Sequence, residues 1–235
     1  RAMSAGTKFL IQVGVASLLV FGFNLRLLSG MGYAPSAVLS ILWIVTLTNS
    51  FNFLDNMDGL AAGVAAIAAC VFAATAMQAG QIFVPACAFL LVGALAGFLP
   101  FNMYPAKIFM GDAGSLPVGL LLAVLTILTT FADPAHNQSP LGVIAPLVVM
   151  AVPLYDTISV LLLRWRLGHP LWKGDRRHFS HRLVRRGMHS RKAVLVIWLA
   201  TLVTALPALL LPTAGWLLAW GVLLQTLLVV ILVAL

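Results

Sequence analysis

Amide and acidic side chains recur every three residues between two long apolar segments of this chain. They are Asn49, Asn52, Asp55 and Asp58, and Gly59 follows where a turn is expected. Residues three apart share one face of a helix, so these side chains would form a polar stripe. Their oxygens can bind sugar or nucleotide hydroxyls, and carboxylates also hold hard divalent cations. A solvated helix end is the alternative, but acidic groups beside membrane spans usually mark a functional site.

A second polar segment places Asp112 between two glycines, in the string from Gly111 to Ser115. We predict a turn here before the next helix, in which backbone N–H groups at the helix start face an anion while Asp112 holds a metal ion. Upstream, Lys107 provides a positive charge for phosphate and Phe109 a flat ring for a nucleobase. Because Asp and Ser also cap ordinary helices, the short string is weak evidence without the residues before it.

A third segment is strongly basic, since ten of the fourteen Lys and Arg residues lie between Arg164 and Lys192. Within it, His178 and His181 are three residues apart and can share a helical face beside Arg182. This arrangement favours a diphosphate over zinc, because no cysteine or third histidine is near. The alternative is that the loop binds anionic lipid and fixes the topology without doing chemistry.

Asp156 lies in the apolar segment that leads into this basic loop. We expect its carboxylate to pair with a histidine or arginine of the loop and to orient it, rather than to act as a nucleophile. Asp133 and His136 fall in a loop predicted on the opposite side of the membrane, where we interpret them as solvated.

The elements that position these residues follow from composition. Hydrophobic residues make up 62% of the chain, charged residues 9%, and the mean hydropathy is +1.05, whereas a soluble domain has about 25% charged residues. The apolar runs approach the roughly 20 residues that span a bilayer and lack the alternation of barrel strands. We predict an all-α fold, a polytopic integral membrane helical bundle of about eight transmembrane helices. The predicted spans are about residues 9–23, 34–48, 60–79, 82–100, 115–132, 141–163, 193–212 and 214–235.

The positive-inside rule places the basic loop, residues 164–192, in the cytoplasm. Counting spans alternately from this loop puts Lys8, the stripe from Asn49 to Asp58, and Asp112 on the same side. The three polar segments are therefore predicted to converge at the cytoplasmic face. Convergence at one face is what an active site requires.

These three strings, in this order among membrane helices, resemble the polyprenyl-phosphate N-acetylhexosamine-1-phosphate transferase superfamily, bacterial glycosyltransferase family 4. Phe109 to Leu116 is close to a signature of that family, and Asn49 to Gly59 is similar to its Asn-x-x-Asn-x-x-Asp-x-x-Asp-Gly string. The resemblance runs from Lys8 to about Lys192. The superfamily includes bacterial enzymes that start O-antigen, enterobacterial common antigen and teichoic acid linkage synthesis, and the phospho-N-acetylmuramoyl-pentapeptide transferase.

The resemblance implies transfer of a sugar 1-phosphate from a UDP-N-acetylhexosamine to polyprenyl (undecaprenyl) phosphate, with Mg2+ as cofactor and release of UMP, to start cell-envelope polysaccharide synthesis. It implies Asp112 as the magnesium ligand. The implied catalytic residues are Asp112, Asp55, Asp58, His178 and His181. The implied substrate-binding residues are Asn49, Asn52, Asn102, Lys107, Phe109, Gly111, Arg182 and Lys8.

The resemblance also implies a location and partners. We expect a multi-pass protein of the bacterial cytoplasmic (inner) membrane, with its active site on the cytoplasmic face. Membrane lipids and a second copy of the chain, as a homodimer, are expected partners, and nucleic acid is not.

The chain departs from the family in two places. The family has an Asp-Asp pair just upstream of a segment like Ala5 to Gln12, whereas this chain starts at Arg1. We therefore expect a single transmembrane transferase domain, 1–235, that lacks about three of ten or eleven helices and is inactive as a fragment. The family's His-x-His-His motif reads His178-Phe-Ser-His181 here, with Ser180 in place of a histidine. The loop still favours the O-antigen and teichoic acid branch over the pentapeptide branch.

Three other functions fit parts of the pattern. A phospho-N-acetylmuramoyl-pentapeptide transferase would use the same motifs on another donor. A secondary transporter could use Asp156 within a span for ion coupling, but transporters place polar sites near the midplane and often show repeated halves. A non-catalytic protein that binds lipid or a UDP-sugar would not need the acidic pair.

Overall fold

The computed structural model describes residues 3–131, 139–170 and 178–234, and these residues form helices and loops without a β-strand. Seven helices are long and apolar enough to cross a membrane, or up to eight if a bent pair counts as one span. The predicted all-α membrane bundle is therefore confirmed. In chain order the α-helices of the described residues are α1 (Ala5–Ser17), α2 (Tyr33–Leu54), α3 (Leu60–Gln78), α4 (Phe83–Asn102), α5 (Gly111–Leu128), α6 (Ala145–Val149), α7 (Ala151–Arg166), α8 (Phe179–Arg185), α9 (Ser190–Ala205) and α10 (Trp216–Ala234).

Small residues let the central helices approach closely. α3 is the most enclosed span, with 72% of its apolar window buried, and nine of its 19 residues are alanine. On α3, Gly63 lies against the indole of Trp198 from α9, where a Cβ atom would stand 1.9 Å from Cε2. On α5, Gly119 meets the backbone of α2, and a Cβ atom would stand 2.8 Å from the Leu47 oxygen. Such glycines allow helix backbones to pack at short range inside a membrane.

Two predicted helix limits were wrong, and both errors fall beside the polar segments. α2 continues past residue 48 to Leu54, so Asn49 and Asn52 are helical. α5 begins at Gly111, before the predicted start at residue 115, so Asp112 lies in the first helical turn and not in a preceding turn. The apolar runs stop at these positions, but a helix can continue past its apolar run and carry polar residues at its water-facing ends.

The predicted span over residues 141–163 is not one straight helix. The segment Pro140–Val149 and α7 are bent by 62° relative to each other. Pro153 in the first turn of α7 explains the bend, because proline has no N–H for the carbonyl of Val149 and its ring crowds that carbonyl. α7 leads into the basic segment, residues 164–192, of which 171–177 lie outside the described residues.

The contact between Gly63 and Trp198 predicts a specific loss of stability. We expect Gly63→Ala to lower the melting temperature in detergent, because the new methyl group overlaps the indole and overpacking costs about 1–3 kcal/mol. Gly93→Ala in α4 is the matched control, since a Cβ atom there has nothing within 4 Å and alanine favours a helix. Scanning fluorimetry of both purified variants measures the difference. A Gly63→Ala protein that melts at or above the wild type would contradict this packing.

Candidate active site

The Asp112 carboxylate joins the ends of three helices. From α1, the Lys8 ammonium forms an ion pair with Asp112 Oδ2. From α2, Asn52 Nδ2 donates to Asp112 Oδ1 at 2.8 Å and to Ser115 Oγ at 2.9 Å. About half of the Asp112 side chain remains exposed (47%), so a ligand can reach it. Three of the predicted site residues, from helices far apart in the chain, thus meet at one carboxylate.

Asn49 lies one turn further from the end of α2 than Asn52. Its Nδ2 donates to Gln12 Oε1 at 2.6 Å and to the Val45 oxygen at 2.8 Å. The side chain therefore ties α2 to α1 below the Lys8–Asp112 pair. In this structure its contacts position α1, and its predicted role in substrate binding stays a prediction.

Asp55 and Asp58 do not share a helical face, so that expectation was wrong. α2 ends at Leu54, Asp55 caps it, and Asp58 lies in the turn before α3. Gly59 closes this turn at φ +77°, a backbone angle that favours glycine. Of the four polar side chains at this spacing, Asn49 and Asn52 lie on α2 and Asp55 caps it. Asp58 lies beyond the helix.

Partial burial raises the pKa of Asp55 above its ordinary value. A hydrogen bond with the Gly111 backbone opposes this shift, while the negative charges of Asp112 and Asp58 add to it. The three acids therefore act electrostatically on one another, although they come from two different segments. Gly111, predicted to bind substrate, contributes a backbone group at this point.

The carboxylate oxygens at and near Asp112 suit a magnesium ion that also binds oxygen atoms of a substrate. Among the described residues no three His, Cys, Asp or Glu side chains are grouped to hold a metal ion by themselves. Mg2+ is usually held by one or two carboxylates, with waters and substrate phosphates completing its shell. The half-exposed Asp112 and the adjoining charge of Asp55 fit that pattern, in which the protein provides only part of the coordination.

The loop between α4 and α5 is fastened to the turn between α2 and α3. Asp58 Oδ2 accepts the N–H of Ala106 at 3.0 Å. The buried Asn102 accepts the Gly59 N–H at 3.0 Å and donates to the Ile108 oxygen at 2.9 Å. Asn102 was predicted to bind substrate, but its amide here bridges two backbone segments, which is a positioning role.

The side chains of Lys107 and Phe109 are exposed on the surface of that loop. The ring of Phe109 is 75% exposed, and Lys107 is exposed as well. An apolar ring with this exposure contributes little packing to the fold. Both side chains are free to meet a ligand, as the predicted contacts with a base and a phosphate require.

His178 and Asp156 form a buried pair beneath the basic segment. His178 Nδ1 lies 2.7 Å from Asp156 Oδ2, and the Phe179 N–H donates to Asp156 Oδ1 at 3.0 Å. Asp156 is fully buried and His178 is 4% exposed. The expected pairing of Asp156 with a histidine of the basic loop is therefore present. Since α8 begins at Phe179, His178 lies outside the helix and does not share a helical face with His181.

His181 and Arg182 lie in the first turn of α8 and are half-buried. Arg182 donates through Nη2 to the Tyr155 hydroxyl at 2.9 Å, while its buried Nε has no hydrogen-bond partner. An unpartnered buried donor is unfavourable, so Arg182 Nε is a polar group that the fold leaves unsatisfied. The predicted role of both residues in binding phosphate stays a prediction.

Several residues that hold the segments together were not predicted. Ser180 Oγ donates to Asn56 Oδ1 at 2.6 Å, which joins the histidine segment to the Asp55 turn. Arg191 Nε donates to the Tyr104 oxygen at 2.9 Å, which joins the same segment to the loop before α5. The sequence signal for Ser180 was its departure from the family motif, and the contact with Asn56 explains how the serine is used. The three polar segments thus converge at one end of the bundle.

Comparison with known proteins identifies the family of this chain. The model of the family described as "Glycosyl transferase family 4" matches residues 1–130. The "Probable undecaprenyl-phosphate N-acetylglucosaminyl 1-phosphate transferase" of Bacillus subtilis (strain 168) is 33% identical over 221 residues, 90% of this chain and 60% of that protein. The "Decaprenyl-phosphate N-acetylglucosaminephosphotransferase" of Mycobacterium tuberculosis (strain ATCC 25618 / H37Rv) is 36% identical over 224 residues, 84% of this chain and 55% of that protein.

A third relative represents the other branch. The "Phospho-N-acetylmuramoyl-pentapeptide-transferase" of Aquifex aeolicus (strain VF5) is 34% identical over 244 residues, 89% of this chain and 64% of that protein. This chain thus spans 55% to 64% of the length of these three relatives. The family match extends over more than half of the chain and contains Lys8, the Asn49–Asp58 segment and Asp112. This multi-pass membrane chain belongs to glycosyl transferase family 4.

Proposed function

We propose that the protein containing this chain transfers a sugar 1-phosphate, N-acetylhexosamine 1-phosphate, from a UDP-sugar to polyprenyl phosphate. An oxygen of the polyprenyl phosphate would attack the sugar-bearing phosphorus, the bond to the bridging oxygen would break, and UMP would leave. The meeting of Lys8, Asn52 and Asp112 beside Asp55 carries this proposal. It puts a cation, an orienting amide and acidic oxygens at one accessible end of a membrane bundle.

The chain's own residues would bind and orient the two phosphorylated substrates. Phosphoryl transfer depends mainly on positioning and on neutralising negative charge. Asn52 holds one oxygen of Asp112, which leaves the exposed carboxylate in a defined orientation. Lys8, once released from Asp112, and Arg182 would supply positive charge to the donor's diphosphate. Asp112 would hold Mg2+, which when bound supplies further positive charge at the transferred phosphate.

The donor's uridine would lie near the loop between α4 and α5. Phe109 offers an exposed ring for stacking on the base, and Asp58 anchors the backbone of the same loop through Ala106. Lys107 adds a cation within this loop. This arrangement supports a UDP-linked donor, because base and phosphate contacts would come from one segment.

We place the site at the cytoplasmic face of the bacterial inner membrane. The support is the charge distribution, since the basic segment 164–192 joins the site through Ser180 and Arg191. UDP-sugars and Mg2+ would then reach the site from the cytoplasm, and the lipid acceptor from the bilayer. We also propose a homodimer, on analogy with the family alone.

The pentapeptide branch is a second candidate, because the Aquifex relative matches over most of this chain. Assays of the full-length protein with UDP-N-acetylglucosamine and with UDP-N-acetylmuramoyl-pentapeptide would distinguish the two donors. We expect UMP release from the first. If release occurs only with the second donor, the branch assignment is wrong. If no UDP-sugar supports release, the transferase proposal itself fails.

Asp112→Asn tests the carboxylate at the centre of the proposed site. In the full-length protein we expect UMP release to fall by at least about 100-fold, because the amide removes the charge that would hold the cation. Asp133→Asn is the matched control, since the sequence places that acid in a loop on the other side of the membrane. Release measured with an enzyme-coupled UMP assay should remain normal in the control. Equal activity of the two variants would overturn the role of Asp112.

Asp55→Asn should raise the melting temperature and lower the activity. Because the pKa of Asp55 is raised in the folded protein, its charged form destabilises the fold at pH values above that raised pKa. The amide removes this penalty, so we expect a higher melting temperature than wild type at pH 7.5 together with lower UMP release. The stability difference should shrink as the pH falls toward the pKa, where wild-type Asp55 becomes protonated. Melting curves between pH 5 and pH 8 check the sign, and a destabilised variant at pH 7.5 would contradict it.

Phe109→Ala should weaken donor binding without affecting the fold. Stacking of a base on an aromatic ring contributes about 1–3 kcal/mol, so we expect KM for the UDP-sugar to rise by roughly 5- to 150-fold. The melting temperature should not change, because the ring is 75% exposed. Phe83→Ala is the control, since that ring is 70% exposed at the opposite end of α4. Similar KM values in the two variants would exclude Phe109 from the base site.

A further inference from the structure

We propose that Ser180 and Asn56 form a positioning pair, which holds the start of α8 against the turn that carries Asp55. The proposal rests on the transferase function above and names two residues outside the implied catalytic and substrate-binding sets. The key contact is the hydrogen bond from Ser180 Oγ to Asn56 Oδ1, at 2.6 Å. It links segments 124 residues apart in the chain.

Asn56 transmits this contact to the end of α2. Its Nδ2 donates to the Phe53 oxygen at 2.7 Å, so the same amide that accepts from Ser180 also binds the last turn of α2. Asp55 lies between these two residues as the cap of the helix. A shift of Asn56 would therefore move the backbone that carries Asp55 and would change its distance to Asp112.

Buried contacts on the other side keep Ser180 in place. Asp156 of α7 holds both His178 and the N–H of Phe179, the residue directly before Ser180. The next residue of α7, Thr157, donates to Ser50 Oγ of α2 at 2.9 Å. α7 thus connects α8 to α2, and the Ser180–Asn56 bond closes this connection at the site.

The burial of these groups makes their geometry restrictive. Ser180 and Asp156 have no exposed surface, and Phe179 is 1% exposed. A hydrogen bond in such surroundings is stronger than in water, and a donor left without its partner is unfavourable. A serine is small enough for this enclosed position.

Kinetics of the full-length protein test the pair through Ser180→Ala, Asn56→Ala and the double variant. We expect each single change to lower kcat roughly tenfold, because small displacements of positioned groups slow transfer, with little change in KM for the UDP-sugar. The double variant should resemble the single variants, since residues of one contact are not additive. Ser40→Ala is the matched control: Ser40 is equally buried and hydrogen-bonded on α2, toward the opposite end. Its kcat should stay normal.

Hydrogen–deuterium exchange separates this proposal from the transferase function. Ser180→Ala should speed exchange at residues 53–60, and Ser40→Ala should speed it near Leu27 instead, because Ser40 accepts the N–H of that residue. If Ser180→Ala speeds exchange at residues 53–60 but the wild-type protein releases no UMP, the transferase function is refuted. The coupling between Ser180 and Asn56 is then retained. Unchanged exchange at 53–60, additive losses in kcat, or a Ser180→Ala protein that loses only melting temperature would overturn the positioning pair.

Discussion

The need to satisfy polar groups at the end of an apolar bundle organises this protein. At the ends of the spans water meets part of this need, but the enclosed sides of polar groups still require partners within the protein, because lipid and packed apolar side chains provide none. Asp112 meets this need through Lys8 and Asn52, which draws the ends of α1, α2 and α5 to one point. The pair with Lys8 is partly exposed, with 29% of the lysine side chain accessible, so it adds little stability by itself. Its main contribution is to fix the ends of α1 and α5 relative to each other.

The same arrangement brings three acidic side chains, Asp55, Asp58 and Asp112, within electrostatic reach of one another. Asp55 lies close enough to Asp112 and Asp58 for their charges to raise its pKa, in addition to the effect of burial. Lys8 forms the ion pair with Asp112, and Asp58 uses its carboxylate to hold the N–H of Ala106. A site of this kind gains stability when a cation or a cationic group arrives. Acids with shifted pKa values that lie together at an accessible position are a common feature of functional sites.

Local patterns predicted the fold better than they predicted the contacts of the site. Apolar runs identified the spans, and charge counting predicted that the three polar segments meet at one end. The spacing of Asn49 and Asn52 was helical as expected, but Asp58 left the pattern because α2 ends at Leu54. No local rule connects Lys8 with Asp112, which are 104 residues apart. The bend before α7 could have been expected from Pro153, since proline removes a helical hydrogen bond. The Ser180–Asn56 contact needed the three-dimensional structure.

The two sides of the site are built with different rigidity. The acidic side lies at the ends of α2 and α5, whose backbones meet at Gly119 without an intervening side chain. The basic side is carried by α8, a helix of seven residues that cannot be stable alone and depends on side-chain bonds to α7 and α2. Rearrangement on substrate binding is therefore easier for α8 than for the acidic side. If α8 moves when substrate binds, the buried Asp156 limits how far it can move, because Asp156 holds both the ring of His178 and the first N–H of the helix.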